Sequence, residues 1–196
     1  MKLSNFFTVL RIILAPVFFI VFFFPSWTGY CTIASVIILI PLFIFMEFTD
    51  FLDGHYARKQ NAVTDFGKLF DPFADVLTNL TVLFSFVLAQ YLPAVLFLII
   101  LYREMGILFF RMMAIRKGIA IGARKGGKTK TVLYIIGAAC SLAIESAVRL
   151  QLHFGEAFFH LARHINLSIY ILAVIVSVAS FIDYLVHFSS VLRNNA

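Results

Sequence analysis

Charged residues are scarce in this chain of 196 residues: only 13% are Asp, Glu, Lys or Arg, whereas 62% are hydrophobic. A soluble domain has little use for so much apolar surface, so this composition argues against the soluble classes of protein. Only two cysteines occur, Cys31 and Cys140. This argues against a disulfide-stapled secreted domain or a cysteine-rich metal cluster, and we interpret both as buried small hydrophobic residues.

Long apolar runs occupy most of the sequence. A membrane-spanning helix needs roughly 17–25 predominantly apolar residues. The sequence predicts six such spans, at residues 6–24, 31–48, 69–88, 93–113, 131–150 and 165–185. We therefore predict an all-α polytopic membrane protein with one membrane-embedded domain over residues 1–196. The first run follows a lone Lys2 and has no small-residue cleavage site, so we expect a retained helix rather than a signal peptide.

Basic residues are distributed unevenly between the connections. Most lie at the N-terminus, in the second and fourth connections or at the C-terminus: Lys2, Arg58, Lys59, Lys68, Arg116, Lys117, Arg124, Lys125, Lys128, Lys130 and Arg193. The connections at residues 25–30 and 90–92 contain no Lys or Arg. The positive-inside rule then predicts that both termini are cytoplasmic. The lack of a transit-peptide pattern favours a bacterial cell membrane.

The fifth connection, residues 151–164, mixes Phe154, Phe158 and Phe159 with polar residues. This mixture is typical of an amphipathic helix that lies in the outer membrane interface.

Four of the ten acidic residues form one spaced pattern within the otherwise apolar chain. It reads Asp50-x2-Asp53-Gly54-x2-Ala57-Arg58-x8-Gly67-x3-Asp71-x3-Asp75. Asp50 and Asp53 share one face of a helix end, and so do Asp71 and Asp75. Converging carboxylates need cations, and Mg²⁺ or Mn²⁺ prefers oxygen ligands. Two such ions suit an in-line displacement at phosphorus.

The residues between the aspartates suit a phosphate ligand. Gly54 and Gly67 permit close approach of the backbone, and Ala57 keeps the same wall thin. Arg58 provides a planar fork for phosphate, and Thr64 can cap the third helix and offer a hydroxyl. A buried ion network or a membrane ion pathway accounts for one or two carboxylates. Neither requires the small residues at these offsets.

The whole pattern is similar to the signature of the CDP-alcohol phosphatidyltransferase family at every fixed position. The resemblance implies a six-helix membrane enzyme, usually a homodimer, with its active site at the cytoplasmic interface. Such enzymes transfer a phosphatidyl group from a CDP-linked lipid, here CDP-diacylglycerol, to an alcohol and release CMP. The implied partners are this lipid, a small phospho-alcohol and the bilayer, with no nucleic acid.

The resemblance also implies roles for individual residues. Four would surround two divalent ions, Mg²⁺ or Mn²⁺: Asp50, Asp53, Asp71 and Asp75. Asp75 would be the general base that takes the proton of the acceptor hydroxyl. The CDP-lipid site would be formed by Gly54, Ala57, Arg58, Thr64, Gly67, Asn5 and Thr8.

Other segments resemble the branch of this family that uses glycerol 3-phosphate as its acceptor. They are Asn5-x2-Thr8-x2-Arg11-x4-Pro16, Asp71-Pro72-Phe73-Ala74-Asp75, Arg103-Glu104 with Arg111, and Gly127-Lys128-Thr129-Lys130-Thr131. Arg103 and Arg111 lie about two helical turns apart on nearly one face. Together with Lys128 and Lys130 they form a candidate cradle for the acceptor phosphate.

Two residues keep other acceptors open. Val76 follows the last aspartate, where this branch usually has Lys, and Glu47 lies one turn before Asp50, where small residues are usual. The alternatives are phosphatidylglycerol (giving cardiolipin), inositol phosphate or serine. Outside the family, an ion-coupled transporter is the remaining class of function.

Overall fold

Six α-helices make up the computed structural model, which describes the backbone of residues 3–59, 65–116 and 125–194 and the side chains of residues 6–49, 70–114 and 129–186. The helices are α1 (Leu3–Thr28), α2 (Thr32–Lys59), α3 (Asp65–Leu88), α4 (Ala94–Arg116), α5 (Lys125–Arg149) and α6 (Glu156–Asn194). No strand occurs in these three ranges. The predicted all-α fold is confirmed.

The chain is a multi-pass membrane protein. Within the described ranges, α1, α2, α3, α5 and α6 are long and apolar enough to cross a bilayer. The fourth predicted span corresponds to α4, which has 23 residues but carries Arg103, Glu104 and Arg111. Ionised groups inside a membrane protein face the protein interior and need partners. Arg103 and Glu104 are accordingly buried.

The last helix corrects the prediction for the fifth connection. Only residues 150–155 connect α5 to α6, and residues 156–164 belong to α6 itself instead of forming a separate interfacial helix. Gly155, with φ 77°, directly precedes the helix. At ~1.5 Å per residue, the 39 residues of α6 extend about 58 Å, well beyond the ~30 Å hydrocarbon core of a bilayer.

Side-chain contacts show how the helices are arranged. Along α1 and α3 the contacts run in parallel, from Thr8 with Asp71 to Phe22 with Phe86. Contacts between α5 and α6 run antiparallel, since Tyr134 meets Ser177 and Ser141 meets Asn166. We call the end that contains Thr8 and Asp71 the aspartate end. The opposite end contains the connections at residues 29–31, 89–93 and 150–155.

Phenylalanine rings fill the core between the two ends. Phe18, Phe22 and Phe86 are essentially inaccessible, and their ring centroids lie 5.6–6.3 Å apart. Offset and edge-to-face contacts of this kind stabilise a core beyond simple burial. Other large apolar side chains, such as Ile37 and Phe109, are exposed on the outside of the bundle. In a membrane protein this outer surface faces lipid.

The prediction that both cysteines are buried is wrong for Cys31. This residue is exposed in the connection before α2, with φ 63°, and Cys140 is half-buried within α5. Neither forms a disulfide. Cys31 begins an apolar run, and the first residue of a run lies in the connection and not in the packed helix.

A close approach of α5 and α6 depends on Gly137. A Cβ atom at this position would lie 2.7 Å from Cε1 of Tyr170. The Tyr170 ring has no room to yield, because it is fully buried and its hydroxyl lies 2.9 Å from Ser141 Oγ. Small residues commonly allow such close helix contacts in membranes.

We predict that Gly137→Val destabilises the protein by about 1–3 kcal/mol, because overpacking would push α5 away from α6. Thermal unfolding of the purified protein in detergent measures the effect. Ala139→Val is the matched control, since Ala139 is exposed on the same helix. Equal stability of the two variants would contradict a tight α5–α6 contact.

Candidate active site at the aspartate end

The two predicted aspartate pairs lie near the C-terminal end of α2 and near the N-terminal end of α3. Asp50 and Asp53 belong to the last turns of α2, and Asp71 and Asp75 to the second and third turns of α3. The side chains of the α2 pair lie outside the described residues. Those of the α3 pair are described and half-buried, so the contacts of Asp71 and Asp75 define this part of the site.

Asp71 is held by α1. The Thr8 hydroxyl donates a hydrogen bond of 2.7 Å to Asp71 Oδ1. Thr8 is fully buried. A buried hydroxyl that donates to a carboxylate fixes the direction of that carboxylate, because losing the bond would leave both groups poorly solvated. The structure therefore links Thr8 directly to a predicted metal ligand.

Asp75 is held by the next turn of α1. Arg11 Nη1 forms an ion pair with Asp75 Oδ1. The Arg11 side chain is only 3% exposed, whereas that of Asp75 is 41% exposed. Thr78 Oγ1 lies 3.5 Å from the backbone oxygen of Arg11 and adds a further α1–α3 contact. The guanidinium is thus buried behind the carboxylate, and Asp75 remains accessible to a substrate.

The α3 pair has the chemistry of a divalent-ion site. Asp71 and Asp75 are four residues apart on one helix, which places both carboxylates on one face. Hard cations such as Mg²⁺ and Mn²⁺ are bound by carboxylate oxygens, usually with further oxygen ligands. Within the side chains that are described, no three potential ligands form a group. Asp50 and Asp53 would have to complete the predicted set.

A second polar cluster joins α4, α5 and α6 at the same end of the bundle. Arg103 Nη1 donates to both oxygens of Glu104 at 3.1 Å, and Lys130 Nζ forms an ion pair with Glu104 Oε1. The three residues are 5%, 6% and 9% exposed. Arg103 Nε also donates to Ser177 O at 3.3 Å, and Nη2 to Ser180 Oγ at 3.2 Å. We call Arg103, Glu104 and Lys130 the α4–α5 ion cluster.

Arg111 and Lys128 are the other two residues predicted to bind the acceptor phosphate. Arg111 is half-buried next to Tyr184 of α6. Its charge, like that of Arg103, lies within electrostatic reach of the Lys130 ammonium. Arg103 and Arg111 are thus close enough to Lys130 to influence its charge, and the role of these residues in binding the acceptor stays a prediction. The side chain of Lys128 lies outside the described residues.

The opposite end of the bundle contains another carboxylate, the half-buried Glu145. It accepts hydrogen bonds from Tyr91 Oη at 2.8 Å and from Arg149 Nε at 2.7 Å. Arg149 also donates to Ser35 Oγ and to the backbone oxygen of Phe22, both at 2.8 Å. Burial, reinforced by the bond to Glu145, raises the pKa of Tyr91 above its usual range. Tyr91 therefore remains a neutral donor, and this group connects α1, α2 and α5.

Comparison with known proteins decides the family. The model of the CDP-alcohol phosphatidyltransferase family matches residues 1–179. The chain belongs to the CDP-alcohol phosphatidyltransferase family. The resemblance inferred from the aspartate pattern is thus confirmed, and it extends well beyond that pattern.

Several similar members of this family have curated names. The CDP-diacylglycerol–glycerol-3-phosphate 3-phosphatidyltransferase of Treponema pallidum is 39% identical over 98% of this chain and 92% of its own length. The Bacillus subtilis protein of the same name is 35% identical over 72% of this chain and 76% of its own length. That of Mycoplasma genitalium is 31% identical over 93% of this chain and 82% of its own length.

The described residues cover part of the predicted site of this family member. Thr8, Asp71 and Asp75 lie together between α1 and α3. The side chains of the other predicted metal and CDP-lipid residues lie outside the described part: Asn5, Asp50, Asp53, Gly54, Ala57, Arg58, Thr64 and Gly67. Their roles stay predictions.

Two residues that were not predicted as site residues contact predicted ones. Arg11 pairs with Asp75, and Glu104 pairs with Lys130. A sequence signal existed for the first pair. Thr8 and Arg11 are three residues apart, Asp71 and Asp75 are four apart, and two parallel helices can match such spacings turn for turn. No comparable spacing in the sequence indicates that Glu104 of α4 pairs with Lys130 of α5.

We predict that Thr8→Val lowers the transfer rate by about tenfold, because Asp71 loses a buried charge-assisted hydrogen bond while the side-chain shape is kept. CMP release from CDP-diacylglycerol by the purified protein measures the rate. Thr81→Val is the matched control, since the Thr81 hydroxyl bonds only locally to Leu77 O. A Thr8→Val protein as active as the control would remove Thr8 from the site.

Proposed function

We propose that this protein transfers a phosphatidyl group from CDP-diacylglycerol to glycerol 3-phosphate and releases CMP, a step in phosphatidylglycerol synthesis. The observation that carries the proposal is the 39% identity to the Treponema pallidum enzyme of that name over 98% of this chain. The aspartate pair on α3 and the buried cations of the α4–α5 ion cluster support it independently, because the reaction needs a base, a diphosphate site and an anion site.

The residues fit two divalent ions. Asp71 and Asp75 provide carboxylates on one face of α3, and Asp50 and Asp53 lie near the end of the preceding helix. Two Mg²⁺ or Mn²⁺ ions held by these four residues would neutralise the diphosphate and stabilise the departing CMP.

The base in this proposal is Asp75. Its side chain is 41% exposed, so it can reach an acceptor hydroxyl, while buried Arg11 holds it from behind. The acceptor oxygen loses its proton to Asp75 and forms a bond to the β-phosphorus of CDP-diacylglycerol. The bond between this phosphorus and the bridging oxygen breaks, and CMP departs with that oxygen. The CDP portion would be bound by Gly54, Ala57, Arg58, Thr64, Gly67, Asn5 and Thr8.

The acceptor phosphate would bind near the α4–α5 ion cluster. Glycerol 3-phosphate carries nearly two negative charges at neutral pH. Arg103, Arg111 and Lys130 bring three positive charges into one region, in which Glu104 carries a negative charge. Lys128 would add a fourth positive charge. An excess of cations in a poorly solvated site favours a phosphate over a neutral alcohol.

The proposal includes an orientation in the membrane. Both termini and the aspartate end would be cytoplasmic, because the basic residues of the connections lie mainly there. The substrate head groups would then react at the aqueous boundary while the acyl chains remain between helices. Resemblance to the family further suggests a homodimer in the bacterial cell membrane.

We expect that the purified protein releases CMP from CDP-diacylglycerol when glycerol 3-phosphate and Mg²⁺ or Mn²⁺ are present. Phosphatidylglycerol, inositol phosphate and serine, tested in parallel, should support little release. Excess EDTA is the control and should abolish the reaction. Faster release with another acceptor would reassign the alcohol, and release unaffected by EDTA would contradict the two-ion site.

We expect that Asp75→Asn abolishes transfer, because the amide cannot take the proton of the acceptor. Binding of CDP-diacylglycerol should largely persist, since three of the four predicted carboxylates remain. Transfer is measured as CMP release and binding by equilibrium dialysis of a labelled CDP-lipid. A variant with full transfer activity would exclude Asp75 as the base.

A further inference from the structure

The buried carboxylate of Glu104 lies at the centre of the α4–α5 ion cluster. It accepts from Arg103 Nη1 through both oxygens, pairs with Lys130 Nζ through Oε1, and lies 3.4 Å from the Tyr134 hydroxyl. Only 6% of this residue is exposed. Such a carboxylate is tolerated in an apolar bundle because several donors surround it.

The donors of Arg103 are directed at the protein. Its Nε donates to Ser177 O, its Nη1 to Glu104 and its Nη2 to Ser180 Oγ. All three nitrogens of the guanidinium therefore have partners on α4 or α6. This arrangement suits a side chain that orients Glu104 better than one that wraps a phosphate.

Lys130 is placed differently. An ammonium has three N–H donors, and one contact of Lys130 goes to Glu104 Oε1. Its Nζ also lies 5.4 Å from the centroid of the Tyr134 ring. Glu104 and Tyr134 together fix where the ammonium lies. Among the side chains that the structure describes, no second acceptor for Lys130 is seen, so donors remain for an anionic ligand.

We propose that Glu104 is a positioning residue for the acceptor. Arg103 holds the Glu104 carboxylate, this carboxylate holds the Lys130 ammonium, and Lys130 binds the phosphate monoester of the acceptor. The inference rests on the proposed function, since it needs a phosphorylated acceptor. It also changes the predicted role of Arg103, which acts through Glu104 instead of contacting the phosphate.

The opposite end of the bundle provides a matched control. Glu145 is also a glutamate within a membrane-spanning helix, and it also accepts from a tyrosine and an arginine, Tyr91 and Arg149. No lysine contact of Glu145 is seen among the described residues. Glu145→Gln therefore removes a half-buried, hydrogen-bonded charge far from the proposed acceptor site.

The test compares wild type, Glu104→Gln, Glu104→Asp and Glu145→Gln in purified form. We expect Glu104→Gln to raise the KM for glycerol 3-phosphate by about tenfold or more, because the charge that orients Lys130 is lost. The KM for CDP-diacylglycerol should not change. Glu104→Asp keeps the negative charge and should raise the KM for glycerol 3-phosphate less than Glu104→Gln does. Glu145→Gln should lower thermal stability and leave the KM for glycerol 3-phosphate unchanged.

A second measurement, the rise in unfolding temperature on adding glycerol 3-phosphate, reports binding of the acceptor even if a variant is less stable. Glycerol 3-phosphate should raise the unfolding temperature of the wild type and of Glu145→Gln, but that of Glu104→Gln much less. Should Glu104→Gln fail to purify, Glu104→Asp takes its place, because its shorter side chain should shift Lys130 and raise the same KM moderately.

Three results would overturn the positioning role. They are a wild-type KM for glycerol 3-phosphate in both Glu104 variants, an equal rise of KM for both substrates, or an equal rise in Glu145→Gln. The proposed function is tested separately, with the wild-type protein. It would be contradicted if the wild type released no CMP when glycerol 3-phosphate is added. If the wild type uses another phosphorylated acceptor, the KM of the variants is measured with that acceptor. If the wild type uses only unphosphorylated acceptors, the positioning role is overturned as well.

Discussion

A charge buried in an apolar helical bundle persists only when another group compensates it. This requirement organises both ends of the protein. At the aspartate end, Arg11 pairs with Asp75 and Lys130 with Glu104, and at the opposite end Arg149 pairs with Glu145. Two of these three pairs join different helices. The interactions that make buried charge tolerable therefore also fix which helices are adjacent and at what height.

The division between polar ends and an apolar middle also places the chemistry. The phenylalanine core around Phe18 and Phe86 excludes water from the centre of the bundle. The ion pairs of Asp75 and Glu104 lie on one side of this core, and that of Glu145 lies on the other. A reaction between a lipid diphosphate and a phosphorylated alcohol needs this combination, since one substrate arrives from the bilayer and the other from water.

Hydrophobic run lengths predicted the all-helical fold well, because a membrane helix must be apolar over a fixed length. The run lengths gave wrong helix bounds where an apolar run and a helix do not begin at the same residue. In α6, the mixed segment after Gly155 continues directly into the apolar one, so the helix starts at Glu156 and not near residue 165. The prediction that Cys31 is buried failed for a related reason, because the first residue of an apolar run lies outside the packed helix.

The candidate site was predictable as far as it depends on spacing within the chain. The aspartate pattern led to the family, and the family comparison agrees. The partner of Lys130 was not predictable in the same way, because it depends on which helices pack together and how each is rotated. For Asp75, the matching spacings of Thr8–Arg11 and Asp71–Asp75 indicate the partner only once α1 and α3 are known to run parallel. Arg11 lies in a motif of α1 to which the sequence assigns no role for this residue, and Glu104 stands out in the sequence only as the neighbour of Arg103.

The contacts of Arg149 have a consequence for biogenesis. Its guanidinium bonds to Phe22 O and Ser35 Oγ, which precede it by 127 and 114 residues. Domains are synthesised from the N-terminus, so α1 and α2 enter the membrane long before this arginine leaves the ribosome. The junction of α1, α2 and α5 can therefore close only after the fifth helix has been inserted. Assembly of the enzyme thus depends on its second half, although the predicted catalytic aspartates all lie in the first.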